Sequence, residues 1–323
     1  MSVPGEAMSP GGLRPNDLSL AHGSVICIGV FDGVHRGHRA VIDHARRIAD
    51  GLAVPAGARV PVVAVTFHPH PRAVLQPSTA PASLSDIDTR VDLLREAGCA
   101  GVLVLPFTPE LAAMSPEAFV EDVLVGRLAA RAVVVGRDFR FGARARGDVD
   151  LLTQLGASEG FTVAAVGTAG DGEQRWSSSR ARDQIAAGEV ARAAEILGRP
   201  YSLTGTVVAG QRRGRDLGFP TANIAVDPGL VIPADGVYAA WAEVAGERWP
   251  AAVSVGTNPQ FAGRERTVEA YLIDAADVDL YDRELTCAFV ARVRGQLVFP
   301  TVADLVDQMH RDVEQCRALL AAP

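Results

Sequence analysis

Two histidines straddle a glycine at the end of an apolar run. Residues 29–38 read Gly29-Val30-Phe31-Asp32-Gly33-Val34-His35-Arg36-Gly37-His38 and follow Val25-Ile26-Cys27-Ile28. Imidazoles can donate hydrogen bonds to an anion, and glycines such as Gly29, Gly33 and Gly37 let a backbone bend and approach a ligand closely. Asp32 suits a metal or a ribose hydroxyl. A single histidine after a strand is usually a surface residue; a His-x-Gly-His at a helix start points to an anion. A second group is Arg175-Trp176-Ser177-Ser178-Ser179-Arg180-Ala181-Arg182. Serines before a helix are ordinary caps, but three of them framed by guanidinium forks suit a phosphate. The third group runs from Gly210 through Arg212, Arg213, Arg215, Gly218, Phe219 and Pro220 to Thr221 and Asn223. Its glycines let a loop fold over phosphates and its arginines supply charge. Past Pro220 an extended backbone sends Thr221 and Asn223 to one side, an oxygen pair that suits Mg2+. Glu269, between Val268 and Ala270, points away from their core face. Such a carboxylate is usually just solvated; near Mg2+ and a hydroxyl substrate it is a general base, worth about 10²–10⁴-fold in rate.

The elements that position these groups follow from periodicity. Residues 25–28, 62–67, 102–105, 132–135 and 161–166 read as strands, and 40–48, 89–97 and 116–128 as helices, the last capped by Ser115. Strands alternating with helices make a parallel sheet covered on both faces, with ligands at the carboxyl ends of its strands. Residues 29–38, 68–71 and 136–142 all fall there. Residues 188–198 read as a short helix, with Val190, Ala194 and Leu197 aligned, stopped by Gly198-Arg199-Pro200. Beyond it, short apolar runs at 203–208, 236–241, 249–255, 268–273 and 286–293 predict a small antiparallel barrel. A terminal helix presents Val302, Leu305, Val306, Met309, Val313, Cys316 and Leu320 on one face as core packing.

The 323 residues are enough for two domains. A net charge of −7 argues against general binding to nucleic acid or membrane surfaces. The chain contains no lysine, so arginine must make every cationic side-chain phosphate contact that lysine would otherwise share. Cys27, Cys99, Cys287 and Cys316 lack a Cys-x-x-Cys spacing and read as buried thiols of a reducing, cytoplasmic compartment. No signal-peptide pattern or membrane-length apolar run is visible. Residues 1–18, rich in Gly and Pro, are expected to be a disordered tail.

Residues 31–38, Phe-Asp-Gly-Val-His-Arg-Gly-His, resemble the His-x-Gly-His signature of nucleotidyltransferases, in the form found in bifunctional riboflavin kinase/FMN adenylyltransferases. Residues 176–182 resemble that superfamily's second signature, a serine-rich turn followed by an arginine. Residues 210–223 and 267–273 resemble riboflavin kinase, and Gly236-Val237-Tyr238, Gly256-Thr257-Asn258-Pro259 and Leu280-Tyr281 match further landmarks. The resemblance spans about residues 20 to 315 in the family's order. It implies a Rossmann-like α/β nucleotidyltransferase domain at 19–199, then a kinase barrel with a C-terminal helix at 200–323.

The implied chemistry is phosphorylation of riboflavin to FMN by the barrel, then adenylylation of FMN to FAD by the α/β domain, with ATP and Mg2+. Thr221 and Asn223 would hold the Mg-nucleotide, and Glu269 would serve as base. His35, His38, Ser178, Ser179 and Arg182 would bind the triphosphate, with Gly29, Phe31, Asp32, Gly33, Gly37 and Arg175 around it. Gly210, Arg215, Gly218, Phe219 and Pro220 would cradle the kinase nucleotide. A monomer or weak homo-oligomer is expected.

Some positions depart from the pattern. Val30 stands where many relatives have Asn, His68 replaces a usual Asp, Ser179 a Thr, Tyr271 a His and Asp282 a Gly. Leu297 or Val298 falls where a charged residue is common. His68 removes a carboxylate beside the phosphates, so the alternative is a riboflavin kinase whose N-terminal domain adenylylates weakly or only binds nucleotide. A non-enzymatic flavin-binding regulator would not need Thr221, Asn223 and Glu269 together. A transferase acting on a pantetheine phosphate would not carry the barrel.

Overall fold

The computed structural model describes residues 19–167, 169–172, 174–209, 217–257, 266–275 and 280–321. The expected tail at 1–18, the loop positions Gly210 and Arg215, and the landmarks Asn258 and Pro259 lie outside these residues. The chain forms two compact units. One comprises Met1–Pro81 and Asp86–Trp176; the other comprises Ala82–Ser85 and Ser177–Pro323.

The first unit runs β1 (Ser24–Ile28), α1 (Arg36–Gly51), β2 (Val62–His68), α2 (Pro71–Leu75), α3 (Ile87–Glu96), β3 (Gly101–Pro106), α4 (Pro109–Ala113), α5 (Pro116–Ala118), β4 (Ala130–Gly136), α6 (Val149–Glu159) and β5 (Thr162–Val166). A small hairpin, β6 (Gly170–Asp171) and β7 (Gln174–Arg175), follows. The five larger strands form one parallel sheet in the order β3-β2-β1-β4-β5. Both faces are covered, which is why the strands read as continuous apolar runs. Val25 and Cys27 face a core with Ile42, Ala45, Val91 and Leu94 from α1 and α3. Ile26 and Ile28 face a second core with Phe119, Val120, Leu124 and Leu152. Strand order reverses at β1 and β4, and open α/β sheets bind ligands outside that switch point. The expected helix at 116–128 starts as α5 under its Ser115 cap and continues as a π-helix, Phe119–Arg127.

The second unit begins with α7 (Ser178–Ala186) and α8 (Val190–Leu197), which Gly198 ends at φ 77°. Six antiparallel strands follow: β8 (Tyr201–Val208), β9 (Ala222–Val226), β10 (Gly236–Val244), β11 (Glu247–Thr257), β12 (Arg266–Leu272) and β13 (Glu284–Arg294). They close into a barrel in the order β10-β11-β12-β9-β8-β13. The terminal helix α9 (Val302–Ala321) covers one side of the barrel through Val306, Met309, Val313, Cys316 and Leu320. Val302 does not join that stripe. It opens the helix and is 63% exposed, ahead of the first turn that meets the barrel. Buried Asp312 on α9 accepts hydrogen bonds from Arg294 on β13 and from Gln308, which fixes the helix in register. All four cysteines are buried free thiols, and burial pushes Cys287 and Cys316 up to about 12.

Candidate active sites

In the first unit, residues 29–38 link the carboxyl end of β1 to the N-terminus of α1. His35 is the N-cap of α1: its Nδ1 accepts from the backbone N–H groups of Gly37 at 3.1 Å and His38 at 3.3 Å. A neutral imidazole whose Nδ1 accepts carries its proton on Nε2. The His38 ring stacks on that of His35 with centroids 3.6 Å apart and meets Phe31 edge-on at 5.2 Å. Burial, with added repulsion from His35 and Arg90, holds His38 well below the ordinary histidine range, so it is neutral at pH 7. Its Nδ1 and the Nε of Arg39 are buried without a hydrogen-bond partner among the described residues. A Cβ on Gly37 would sit 3.0 Å from the His35 ring, so only glycine leaves that ring in place.

Three residues of this loop are left-handed: Phe31 at φ 53°, Gly33 at 74° and Val34 at 38°. For a β-branched valine this is strain, of order 1–3 kcal/mol, which the surroundings must offset. They do so with Arg90, a residue sequence reading passed over. Its guanidinium is 2% exposed and 3.5 Å from the equally buried Asp32 carboxylate. It donates to the carbonyls of Val30 and Phe67, both at 3.2 Å, and the Thr66 hydroxyl adds a second bond to Val30 at 2.8 Å. Asp32 is thus an internal anchor of the loop. No periodicity or motif marks Arg90; the signal in the sequence is an arginine one turn from Leu94 and beside Val91, on the buried side of α3.

The other residues expected in this unit are placed as follows. His68 closes β2 and is exposed. Arg175 is engaged with Asp138 at 2.9 Å, and that guanidinium holds the Asp138 carboxyl below its usual range. Arg36 lies over the Trp176 ring at 5.4 Å.

In the second unit, Ser177 caps α7 by accepting from Arg180 N–H at 3.3 Å. Ser178 and Ser179 form the first turn of α7, and Arg182 lies one turn on. On the barrel, β9 pairs with β12 so that Asn223 lies opposite Glu269, and Ser254 on β11 flanks Glu269 on its other side. The Thr221 hydroxyl donates to Glu269 Oε2 at 3.3 Å. Thr221, Asn223 and Glu269 are all half-buried, while Ala222, Val268 and Ala270 between them point into the core. The expected alternation therefore holds, and it brings the three together. Thr221 keeps its oxygen lone pairs free for a hard cation while its proton is held by Glu269. Pro220 leads into this group, and Phe219, 6% exposed, anchors it edge-on to Tyr271 at 5.2 Å and His310 at 4.9 Å.

A parallel α/β unit with a His-x-Gly-His helix start, joined to a closed barrel with a Thr–Asn–Glu cluster, defines a two-part nucleotide-dependent transferase. The FAD synthetase family model matches residues 18–180 and the riboflavin kinase model matches 197–320. The bifunctional riboflavin kinase/FMN adenylyltransferase of Pseudomonas fluorescens is 38% identical, with 96% of each chain covered. The protein of that name from Escherichia coli K12 is 36% identical over 92% of this chain and 93% of its own. A solved structure described as a macrolide-efflux protein from Streptococcus pneumoniae superposes with a TM-score of 0.82 at 30% identity, over 91% of this chain and 94% of that one. No described helix of this chain is long and apolar enough to cross a membrane. The chain belongs to the bifunctional riboflavin kinase/FMN adenylyltransferase family.

Proposed function

We propose that the two sites carry out successive steps of FAD synthesis, each with its own ATP. The chain is a transferase that phosphorylates riboflavin to FMN and adenylylates FMN to FAD. The observation that carries the assignment of residues is the barrel cluster: a hydroxyl, an amide and a carboxylate brought together across β9 and β12. Glu269 is the general base that takes the proton of the riboflavin 5′-hydroxyl as its oxygen attacks the γ-phosphorus of ATP; the bond from that phosphorus to the β–γ bridging oxygen breaks and ADP leaves. Thr221 and Asn223 are the oxygen donors for Mg2+, which when bound neutralises charge on the phosphates. The Gly218-Phe219-Pro220 turn sets Thr221 in place.

In the first unit, a phosphate oxygen of FMN attacks the α-phosphorus of ATP, the bond to the β-phosphate breaks, and pyrophosphate leaves. The nucleophile is already anionic, so the protein contributes position and charge stabilisation. The α1 N-terminus offers its dipole, His35 its Nε2–H and neutral His38 its single ring N–H to the triphosphate. Ser178, Ser179 and Arg182 keep the triphosphate role their motif implies. Catalytic limits at residues 19–199 and 200–323, a monomer or weak homo-oligomer and a cytoplasmic location complete the proposal.

A second reading, a kinase with a weak adenylyltransferase, is favoured by His68 at the end of β2 in place of a carboxylate. One chromatogram after incubation with riboflavin, ATP and Mg2+ separates the readings. FMN plus FAD supports the two-step enzyme, FMN alone supports the weakened one, and neither product refutes both.

A further inference from the structure

We infer that Arg90, on α3, is the positioning residue of adenylyl transfer: it clamps the strained β1–α1 loop and so sets where His35 and His38 meet the nucleotide. This rests on the assignment of the adenylyl site to that loop. Arg90 is among the largest fully buried side chains in the protein and has no place in the steps above. Its guanidinium reaches three points that no backbone pairing joins: the Val30 carbonyl before the loop's first left-handed residue, the Asp32 carboxylate between Phe31 and Gly33, and the Phe67 carbonyl at the end of β2. Val34, the last left-handed residue, precedes His35 directly. A loop held at φ 53°, 74° and 38° would relax toward ordinary backbone if its anchor were lost. The N-cap geometry of His35 and the stacked His38 would move with it.

The planar fork matters as well as the charge. Lysine offers one ammonium point and cannot reach the two carbonyls and the carboxylate with the same geometry. The charge has a separate effect. Among the described residues, the charged and titratable groups acting on His38 are His35 on its own element and Arg90 from α3, the latter paired with Asp32 of the loop. Losing the guanidinium removes a repulsion on protonated His38 and takes a cationic partner from Asp32, and both favour the proton.

The test uses the full chain with FMN, ATP and Mg2+, well below the melting temperature, with rates referred to the folded fraction seen by circular dichroism. Arg90→Met should lower kcat for FAD formation by about 10²-fold, the scale of a small misplacement of reacting groups. It should change the KM for ATP less, and move the acidic limb of the pH–rate profile to higher pH. Arg90→Lys should fold, keep the wild-type acidic limb and still lose about ten-fold in kcat. If Arg90→Met does not fold, the Lys variant decides alone. A Lys variant with wild-type kcat per folded molecule would overturn the inference, as would a Met variant whose loss is fully explained by its unfolded fraction. His38→Ala run in parallel keeps the two levels apart. If it leaves FAD formation intact, the loop is not the adenylyl site; if it abolishes FAD formation while both Arg90 variants keep it, only the Arg90 inference fails.

Discussion

The two sites are built in opposite ways. The proposed adenylyl loop is a backbone construction: left-handed residues, a histidine that caps its own helix, and a buried ion pair behind it. The proposed kinase site is a side-chain construction, three half-buried groups aligned by strand register with their neighbours packed in the core. The first is therefore sensitive to changes that never touch a ligand, while the second is sensitive mainly to the chemistry of the three side chains. Breaking one partner of a buried pair such as Arg90–Asp32 costs about 3–5 kcal/mol, whereas an exposed pair such as Arg140–Asp148 is screened by water and contributes little.

The sharpest separation comes from Glu269→Gln, which keeps size and hydrogen bonding but removes the base. FMN formation should fall by about 10²–10⁴-fold, with conversion of supplied FMN to FAD nearly unchanged, as read by product chromatography. The mirror experiment is His38→Ala, expected to cost on the order of 10²-fold in FAD formation and to spare the kinase. If both substitutions abolish the same step, the contrast between the sites is wrong.

A structural version of the contrast concerns the barrel's limits. Val190, Ala193, Ile196 and Leu197 of α8 are buried in the second unit. Residues 200–323 alone should fold and phosphorylate riboflavin, and a fragment beginning at Ser177 should be more stable because it keeps α8. Ile196→Ala should cost about 2–5 kcal/mol in denaturant melts of that longer fragment. A folded but inactive 200–323 fragment would show that this domain is not the whole kinase.

The pH behaviour should differ too. His38 has a folded pKa below its unfolded one, near 6.5, so the unfolded chain binds the extra proton between them. The stability tied to its neutral burial is complete above that unfolded value. It falls as pH drops below it, until the depressed folded value is reached. Adenylyl transfer should accordingly hold its rate through pH 6.5, as seen in a pH–rate profile with FMN as substrate.

The smallest expected effect is at His68. Replacing it with Asp restores the carboxylate at the end of β2 and should raise FAD formation from FMN a few-fold at fixed Mg2+, leaving the kinase step alone. A drop instead would mark His68 as a cationic phosphate contact, and an unchanged rate from pH 6 to 9 would mark the position as merely tolerant.

Much of this was legible in the sequence because it rests on local pattern. Strands β1 to β4 of the sheet are buried runs, the Ser115 and Ser177 helix starts carry cap chemistry, and the common facing of Thr221 and Asn223 and the outward facing of Glu269 follow from alternation. What was not legible is non-local. Arg90 acts on a carbonyl 60 residues away. Residues 82–85 join the second unit because Ser83 pairs with the turn at Gly229 and Val231, which no spacing encodes. Helix α6 has a short apolar face, with only Leu152 and Gly156 buried, too few positions to show a period. The exposure of Val302 depends on where the barrel surface ends.

The central claim, two independent sites in one chain, is tested most directly by mixing Glu269→Gln and His38→Ala proteins with riboflavin, ATP and Mg2+. Each alone should give almost no FAD, the first for want of FMN and the second with FMN accumulating. The mixture should make FAD through released FMN, at a rate that rises with either protein. A mixture no better than its components, with both variants competent alone on supplied FMN or both blocked at the same step, would contradict the account.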